Sequence, residues 1–241
     1  MAKPTLLMTR PPAASERFVA ALPAALRAGL AVHHSPLLRI VPLTQRVEFA
    51  DARGVVFTSE NGVATASGLT ERRDLPVYCV GAWTTRKARE AGWQAVMLGE
   101  NAAEMIAAMQ AAPPEGPLLH LRGRHGSADI AGALAPGGCE LRVQVIYEQE
   151  LLELDSRAQA LLAGPGVVIA PLFSPRTAQQ FARSAPARGA SAGALRLAAI
   201  SEAAARPLRA MRPEQLVIAT RPTAGALADS VGQLAGVAQI P

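Results

Sequence analysis

The fold is decided by the stretch Gly54-Val-Val-Phe-Thr-Ser59-Glu-Asn-Gly62, which is matched later in the chain by Gly166-Val-Val-Ile-Ala-Pro-Leu-Phe-Ser174-Pro-Arg-Thr177. Each copy has the pattern of a short apolar strand that runs through a turn into a helix. The strands are continuously apolar rather than alternating, which is typical of a parallel sheet covered by helices on both faces. The two copies therefore predict an α/β fold with parallel sheets.

Two further strand-to-helix units follow each copy in the same order. Val77-Tyr-Cys-Val-Gly81 corresponds to Leu197-Ala-Ala-Ile-Ser201, and Ala95-Val-Met-Leu98 corresponds to Leu216-Val-Ile-Ala219. The offset between matching positions stays nearly constant, at 115, 120 and 121 residues. An internal repeat of this kind predicts two similar flavodoxin-like parallel-sheet domains rather than one long sheet.

The remaining elements continue the alternation of strand and helix. Strands are predicted at 5–9, 31–34, 55–58, 76–80, 95–98, 117–121, 166–173, 196–200 and 215–219. Helices are predicted at 13–28, 61–69, 84–91, 101–111, 128–135, 155–163, 175–184, 202–211 and 223–235. Gly29 and Gly92 stand where glycine commonly ends a helix.

Two segments break this alternation, because 36–42 and 141–150 look extended but lead into no nearby helix. We interpret 36–42 and 143–149 as a two-stranded linker. On this interpretation domain 1 consists of residues 1–37 and 150–241, and domain 2, residues 43–140, is inserted in it. The alternative, that both segments are edge strands of the sheets, stays open.

Composition limits the classes of function. Of the 241 residues 50% are hydrophobic and 18% charged, so the chain is not broadly disordered. The net charge is +5, and 22 of the 24 basic residues are arginine, which favours an anionic partner. The arginines are scattered and aromatic residues are only 4% of the chain, which argues against nucleic acid as that partner.

No metal, redox or membrane signature is present in the sequence. The two cysteines form no CxxC motif and the four histidines form no HExxH motif, so no metal site and no disulfide are expected. No apolar run could cross a bilayer as one helix, and the start of the chain has no apolar core of a signal peptide. We therefore expect a cytoplasmic protein without a membrane partner.

Ligands of parallel α/β sheets bind beyond the carboxyl ends of the strands, where helix N-termini present free N–H groups. Hydroxyl, amide, glycine and arginine positions collect at these ends: Thr9, Arg10, Ser59, Asn61, Gly62, Gly81, Thr84, Arg122, Gly123, Ser174, Arg176 and Ser201. Taken singly, many have an ordinary explanation as helix caps or turn residues. Together they suit a multiply anionic small molecule, and neither GxGxxG nor a P-loop points to a nucleotide.

Tyr147 is the one candidate for proton chemistry. It lies in the second predicted linker strand, and a phenol can give a proton to a leaving group. An equally good explanation of the spacing is an aromatic residue that packs across strands.

Several motifs, taken in order, resemble those of the uroporphyrinogen-III synthase family. The resemblance extends from residue 5 to the region of residue 230. It rests on Leu7-Met-Thr-Arg-Pro11, Pro36-Leu-Leu-Arg-Ile40, Val56-Phe-Thr-Ser-Glu-Asn-Gly-Val63, Val80-Gly-Ala-Trp-Thr84, Leu119-His-Leu-Arg-Gly123, Val145-Ile-Tyr147 and Phe173-Ser-Pro-Arg-Thr-Ala178. Each motif is weak alone, and the ordered set is specific.

The resemblance implies a fold, an activity and a role for one residue. Members of this family have two α/β domains, the second inserted in the first, and a two-stranded linker. They convert hydroxymethylbilane into uroporphyrinogen III in tetrapyrrole biosynthesis, with loss of water, inversion of ring D and no cofactor. By position Tyr147 would assist loss of the hydroxyl, whereas Ala204 stands where the family commonly has threonine.

The resemblance also implies a monomer that receives its substrate from the deaminase that makes it. A different class of function is compatible with the residues alone. A non-catalytic two-lobed protein that binds an anionic small molecule would equally lack strong catalytic motifs.

Overall fold

The computed structural model describes residues 3–43, 46–125, 129–187 and 192–236. Its strands are β1 (Thr5–Met8), β2 (Ala31–His34), β3 (Leu38–Pro42), β4 (Gly54–Phe57), β5 (Pro76–Cys79), β6 (Gln94–Met97), β7 (Leu118–Gly123), β8 (Leu141–Leu151), β9 (Val168–Leu172), β10 (Leu195–Ala199) and β11 (Gln215–Ile218). Its helices are α1 (Pro12–Ala21), α2 (Ala24–Ala28), α3 (Glu60–Leu69), α4 (Ala82–Glu90), α5 (Ala102–Ala111), α6 (Ile130–Leu134), α7 (Ser156–Ala163), α8 (Pro175–Ser184), α9 (Glu202–Arg209) and α10 (Ala224–Leu234).

The chain divides into two compact units. One, called here the terminal unit, consists of residues 1–39 and 150–241, and the other, the middle unit, of residues 40–149. The terminal unit contains a five-stranded sheet in the order β11-β10-β9-β1-β2, in which all pairs are parallel. Counted along the unit this is the order 2-1-3-4-5, the flavodoxin-like arrangement.

Each face of the terminal sheet is covered. Leu7 of β1 belongs to an apolar cluster that includes Phe181 of α8, whereas Leu6 and Met8 belong to a second cluster that includes Phe18 of α1. Successive side chains of a strand point to opposite faces, so the unbroken apolar sequence of β1 fills both clusters. Burial on both faces is therefore the cause of the continuously apolar strands from which a parallel sheet was predicted.

The middle unit is built in the same way. Its six-stranded sheet has the order β3-β8-β7-β4-β5-β6, and the pairs β7–β8, β4–β7, β4–β5 and β5–β6 are parallel. Val55 and Phe57 of β4 belong to the apolar cluster on one face, and Val56 belongs to the cluster on the other. The prediction of an α/β fold with parallel-sheet domains is confirmed.

The strand registers reproduce the internal repeat. In the middle unit Val55 pairs with Val77, which pairs with Ala95. In the terminal unit the matching positions Ala170, Leu197 and Leu216 pair in the same way. The strands β7 and β8 occupy the places that β1 and β2 occupy in the terminal sheet, although they follow the repeat in sequence whereas β1 and β2 precede it.

The two segments that interrupt the alternation are both strands. β3 and β8 are hydrogen-bonded neighbours at one side of the middle sheet, with β3 at its edge. The division between the units falls within these strands, between residues 39 and 40 and between residues 149 and 150. Both segments are extended, as predicted. β3 is an edge strand, whereas β8 pairs with β3 on one side and β7 on the other, so the alternative that both segments are edge strands is wrong for 141–150. The two-stranded linker stays a prediction.

One predicted helix was wrong. The single helix at 13–28 is two helices, because Leu22 is extended at φ −66° and ψ 145° and Pro23 precedes α2. Proline lacks an N–H group and disfavours helical geometry in the residue before it. Gly29 lies at the end of α2 in right-handed geometry, whereas Gly92 has the left-handed φ of +86° typical of a helix end. Residue 128 of the predicted helix 128–135 lies outside the described residues.

Candidate functional site

Ser59 and Tyr147 form a hydrogen-bonded pair at the carboxyl end of β4 in the middle unit. Ser59 is the N-cap of α3, and its Oγ accepts a hydrogen bond from the Gly62 N–H at 3.2 Å. The same oxygen lies 3.0 Å from the Tyr147 hydroxyl. Tyr147 is on β8 and only 3% exposed. Two residues that are 88 positions apart are thus brought together by the sheet.

Glycine at two of the predicted site positions makes room for this pair. A Cβ added at Gly123 would lie 2.6 Å from Tyr147 Cζ, and the β7–β8 register shifts between Arg122 and Gly123. A Cβ added at Gly62 would lie 2.9 Å from the carbonyl oxygen of Leu121. Both distances are too short for any other residue, so the tyrosine ring and the first turn of α3 depend on these glycines.

A second pair lies beside the first and was not predicted from the sequence. Thr58 Oγ1 is 3.2 Å from His120 Nε2, and His120 is only 3% exposed on β7. Burial, with a smaller effect of the nearby Arg122 cation, lowers the pKa of His120 from 6.5 to about 4. The imidazole is therefore neutral at physiological pH. The sequence did contain a signal, a single histidine between the leucines of β7.

Arg122 brings a positive charge to the same end of the sheet. Its Nε donates to the Gly123 carbonyl at 3.0 Å, and it forms no ion pair within the part of the chain that the structure describes. The side chain is half-buried. An arginine held in this way keeps donors for an anionic ligand.

The other predicted positions of the middle unit lie at the starts of α3 and α4. Asn61 is half-buried in the first turn of α3. Gly81 is the N-cap of α4 with the left-handed φ of +78°, so a glycine is required there. Thr84, predicted as an accessible hydroxyl, is buried with 7% exposed. Neighbouring Trp83 donates through its indole N–H to Glu60 at 2.7 Å.

In the terminal unit the predicted serines are helix caps. Ser174 caps α8, where its Oγ accepts from the Thr177 N–H and lies 2.8 Å from the Thr177 hydroxyl. Ser201 caps α9 by accepting from the Ala204 N–H at 3.4 Å. Ala204 itself is fully buried in the apolar core. The cap explanation is correct for both serines, and it leaves a binding role open.

The remaining terminal positions are a threonine and two arginines. Thr9 is buried with 1% exposed. The Arg10 guanidinium lies 4.3 Å from the centre of the Phe173 ring, a cation–π contact. Arg176 is half-buried in the first turn of α8, directly after Ser174 and Pro175. Arg10 and Arg176 bring positive charge to the carboxyl ends of β1 and β9.

Neither metal nor thiol chemistry is supported within the described ranges. No group of three or more His, Cys, Asp or Glu residues there is arranged to hold a metal ion. Burial raises the pKa of the Cys79 thiol to about 11 and also raises the pKa of Cys139, so neither thiol is a nucleophile at neutral pH. Across the same ranges no helix has the length and apolar character needed to span a membrane. The predicted site positions and their neighbours offer hydroxyls, a phenol, a neutral imidazole and arginines.

Known proteins include structural matches to this chain at low sequence identity. A search of curated protein sequences gives no match. The solved structure of uroporphyrinogen-III synthetase from Helicobacter pylori 26695 is similar with a TM-score of 0.67 at 15% identity, over 97% of this chain and 100% of that chain. The wild-type uroporphyrinogen III synthase of the extremely thermophilic bacterium Thermus thermophilus matches at a TM-score of 0.42 and 16% identity, over 97% of each chain. At these identities the Helicobacter pylori likeness shows the fold alone.

The family model for uroporphyrinogen-III synthase HemD matches residues 19–229, which is most of the sequence. This match covers β4 and α3 with Ser59, β7 with His120, β8 with Tyr147, and the capping serines of the terminal unit. The chain therefore belongs to the uroporphyrinogen-III synthase family.

Proposed function

We propose that this chain cyclises hydroxymethylbilane to uroporphyrinogen III with loss of water and inversion of ring D, and that Tyr147 is its catalytic acid. The observation that carries the proposal is the 3.0 Å contact between Tyr147 and Ser59 at the carboxyl end of the middle sheet, in a member of this family. Nothing in the comparisons favours the alternative of a non-catalytic binding protein.

The first step is departure of the hydroxyl from the hydroxymethyl group on ring A. The C–O bond breaks with electron donation from the pyrrole nitrogen, a proton from Tyr147 or from a water bound to it joins the leaving oxygen, and water departs. The phenolate that remains is stabilised by the Ser59 hydroxyl, which can donate to it while its oxygen accepts the Gly62 N–H. The proton lost when the last pyrrole regains aromaticity restores the phenol.

The second step decides which isomer forms. The electron-poor azafulvenium ion left at ring A can close at the free α-carbon of ring D and give the uninverted product, or attack the substituted α-carbon and give a spiro intermediate. The spiro intermediate fragments and rejoins with ring D turned over. A site that holds the substituted carbon nearest needs no stronger acid or base, since orientation alone can supply several kcal/mol.

Substrate binding is assigned to charges and free N–H groups at the strand ends. Acetate and propionate arms are acceptors that suit Arg10, Arg122 and Arg176. The N-termini of α3, α4 and α8 add N–H donors and partial positive charge. Hydroxyl, amide and glycine positions at the strand ends complete the proposed binding set: Thr9, Ser59, Asn61, Gly62, Gly81, Thr84, Gly123, Ser174 and Ser201.

The assay that tests the function is isomer analysis. Hydroxymethylbilane is generated fresh, incubated with and without the protein in the absence of added metal or nucleotide, oxidised and separated by chromatography. We expect the product to change from the type I to the type III isomer. Binding of the substrate with an unchanged type I product would establish the binding-protein alternative instead.

Four finer assignments belong to the same proposal. The chain works in the cytoplasm as a monomer and receives hydroxymethylbilane from the deaminase that makes it. Residues 36–42 and 143–149 act as the linker between a domain of residues 1–37 and 150–241 and a domain of residues 43–140. Sedimentation of the purified protein alone and mixed with the deaminase tests the monomer and the transfer.

A further inference from the structure

The mechanism above leaves one buried polar pair of the middle unit without a role. Thr58 Oγ1 lies 3.2 Å from His120 Nε2, and Thr58 directly precedes the capping serine, Ser59. Thr58 is half-buried, whereas His120 is 3% exposed. Placing an imidazole in a sheet core costs free energy unless it makes hydrogen bonds, and here Thr58 supplies one. A role for the pair would explain why a histidine is found at this buried position.

The sheet places this pair and Arg122 together. The β4–β7 register pairs Val56 with His120, so Thr58, which follows β4, lies at the level of Arg122 near the end of β7. His120 and Arg122 are two residues apart on one strand and therefore share a face of the sheet, whereas Leu119 and Leu121 fill the apolar cluster on the opposite face. Burial is the main cause of the lowered pKa of His120, and the Arg122 cation adds a smaller effect in the same direction.

These groups have the donors that a carboxylate needs. A neutral imidazole has one N–H, and when Nε2 carries it, the imidazole donates to Thr58 Oγ1. The threonine hydroxyl hydrogen then points away from His120 and is available to an acceptor. A carboxylate only accepts hydrogen bonds, and the Arg122 guanidinium is a source of charged donors at the same end of the sheet.

We propose that Thr58 and Arg122 together bind one carboxylate arm of the substrate, and that His120 is a positioning residue that holds the Thr58 hydroxyl as a donor. This inference rests on the proposed function and names a specific contact within it. Thr58 would touch the substrate, whereas His120 would act only through Thr58.

The test compares Thr58→Val, Thr58→Ser, His120→Leu and the double variant Thr58→Val/His120→Leu, with Thr65→Val as a buried-threonine control on the same helix that Ser59 caps. We expect Thr58→Val to raise KM about tenfold with kcat within about twofold, since one hydrogen bond to a charged group is lost. His120→Leu should raise KM less, by about threefold to tenfold. Thr58→Ser and Thr65→Val should keep the wild-type KM.

The double variant distinguishes a positioning role from an independent one. Because His120 acts through Thr58, the double variant should have the KM of Thr58→Val alone. If the double variant raised KM by the product of the two single effects, the positioning role of His120 would be overturned. A wild-type KM in Thr58→Val would overturn the whole inference. If His120→Leu fails to fold by circular dichroism, Thr58→Val against Thr58→Ser still decides whether the hydroxyl binds substrate.

A binding measurement separates this inference from the proposed function. Uroporphyrin III, the oxidised form of the product, is the probe, and its dissociation constant is measured by fluorescence. A wild-type protein that forms no type III isomer would contradict the proposed function. A type III product with equal uroporphyrin affinity and equal KM in wild type and Thr58→Val would contradict only the carboxylate site.

Discussion

The two units place a capping serine at the same point of their sheets and use its hydroxyl differently. Ser59 has φ −156° and ψ 151°, and Ser174 has φ −158° and ψ 153°. Ser174 Oγ contacts Thr177 Oγ1 in the first turn of its own helix, at 2.8 Å. Ser59 Oγ contacts Tyr147 on a strand of the sheet, at 3.0 Å. Both serines therefore complete a helix end, and Ser59 in addition contacts the candidate proton donor Tyr147.

The difference comes from the strands beside the serine. The registers match His120 of β7 with Met8 of β1, because Leu118 pairs with Gly54 as Leu6 pairs with Ile169. When the same count is continued beyond the end of β1, Gly123 matches Pro11, the residue before α1. Only glycine leaves space for the Tyr147 ring. Both units present helix N-termini and an arginine, at Arg10 and Arg122, and the buried phenol and imidazole belong to the middle unit.

The largest difference in activity between the two units should appear when the phenol hydroxyl is removed. Tyr147→Phe keeps the ring that packs against Gly123 and loses the proton donor, so we expect kcat to fall by about 10² or more. Ser174→Ala should lower kcat by less than about tenfold, the effect of one hydrogen bond. Rates of type III formation, with circular dichroism to verify folding, provide the measurement. Equal losses in both variants would mean that the units contribute alike and that orientation alone carries the reaction.

The imidazole should make the stability of the middle unit depend on pH. The pKa of His120 is about 4 in the folded protein against an ordinary 6.5. Between these values the unfolded chain binds a proton that the folded chain does not. The stabilisation is thus complete above pH 6.5 and declines as the pH falls to about 4, by at most about 3 kcal/mol.

Denaturant unfolding at pH 7 and pH 4.5 measures this effect. His120→Leu should lose less stability than wild type over that range, and the difference between the two proteins isolates His120 from the carboxylates that both retain. Parallel losses in wild type and His120→Leu would show that the imidazole is accessible to protons in the folded state.

Adding a methyl group at Gly123 should displace the tyrosine. Gly123→Ala forces a Cβ into the Tyr147 ring, and we expect a cost of about 1–3 kcal/mol in the free energy of unfolding together with lower activity. Gly68→Ala, in α3 with no atom within 4 Å of the added Cβ, should instead stabilise by about 0.5–1 kcal/mol. Thermal or denaturant unfolding compares them, and a neutral Gly123→Ala would mean that the ring moves freely.

The smallest expected difference is in the free energy of unfolding that is lost when each capping serine is replaced by alanine. Ser174→Ala should cost about 1 kcal/mol of stability for the lost helix cap. Ser59→Ala should cost up to about 1 kcal/mol more, because the Tyr147 hydroxyl also loses its partner. A double-mutant cycle of Ser59→Ala with Tyr147→Phe measures that added energy. A coupling energy near zero would show that the pair contributes to chemistry without contributing to stability.

Local patterns were enough to predict most elements and several members of the site. The apolar runs predicted the strands, and the serines after β4 and β9 predicted helix starts at which Ser59 and Ser174 do cap. The 13–28 helix was wrong because its apolar periodicity continues through Pro23, where the backbone cannot follow. Tyr147 was selected for its position on an extended segment, and its contact with Ser59 could not be predicted.

Contacts between distant residues depend on strand order and register, which short-range patterns do not contain. His120 illustrates this most directly. In the sequence it is one histidine in an apolar run without the spacing of a metal ligand, and only its pairing beside Val56 brings its ring to Thr58. Its neutrality then follows from burial, a property of the packed core.

The sequence by itself determined the alternation of strands and helices, the internal repeat, the helix caps and the family motifs, because each is visible in short stretches of residues without knowing which stretches pair in space. Tertiary structure alone decided that β7 and β8 occupy in the middle sheet the places that β1 and β2 occupy in the terminal sheet. That arrangement brings Tyr147 to Ser59 and His120 to Thr58 across separations of 88 and 62 residues. The physical reason is that lateral strand pairing and burial are set by the packing of the whole sheet, so one capping serine acquires a phenol while its counterpart does not.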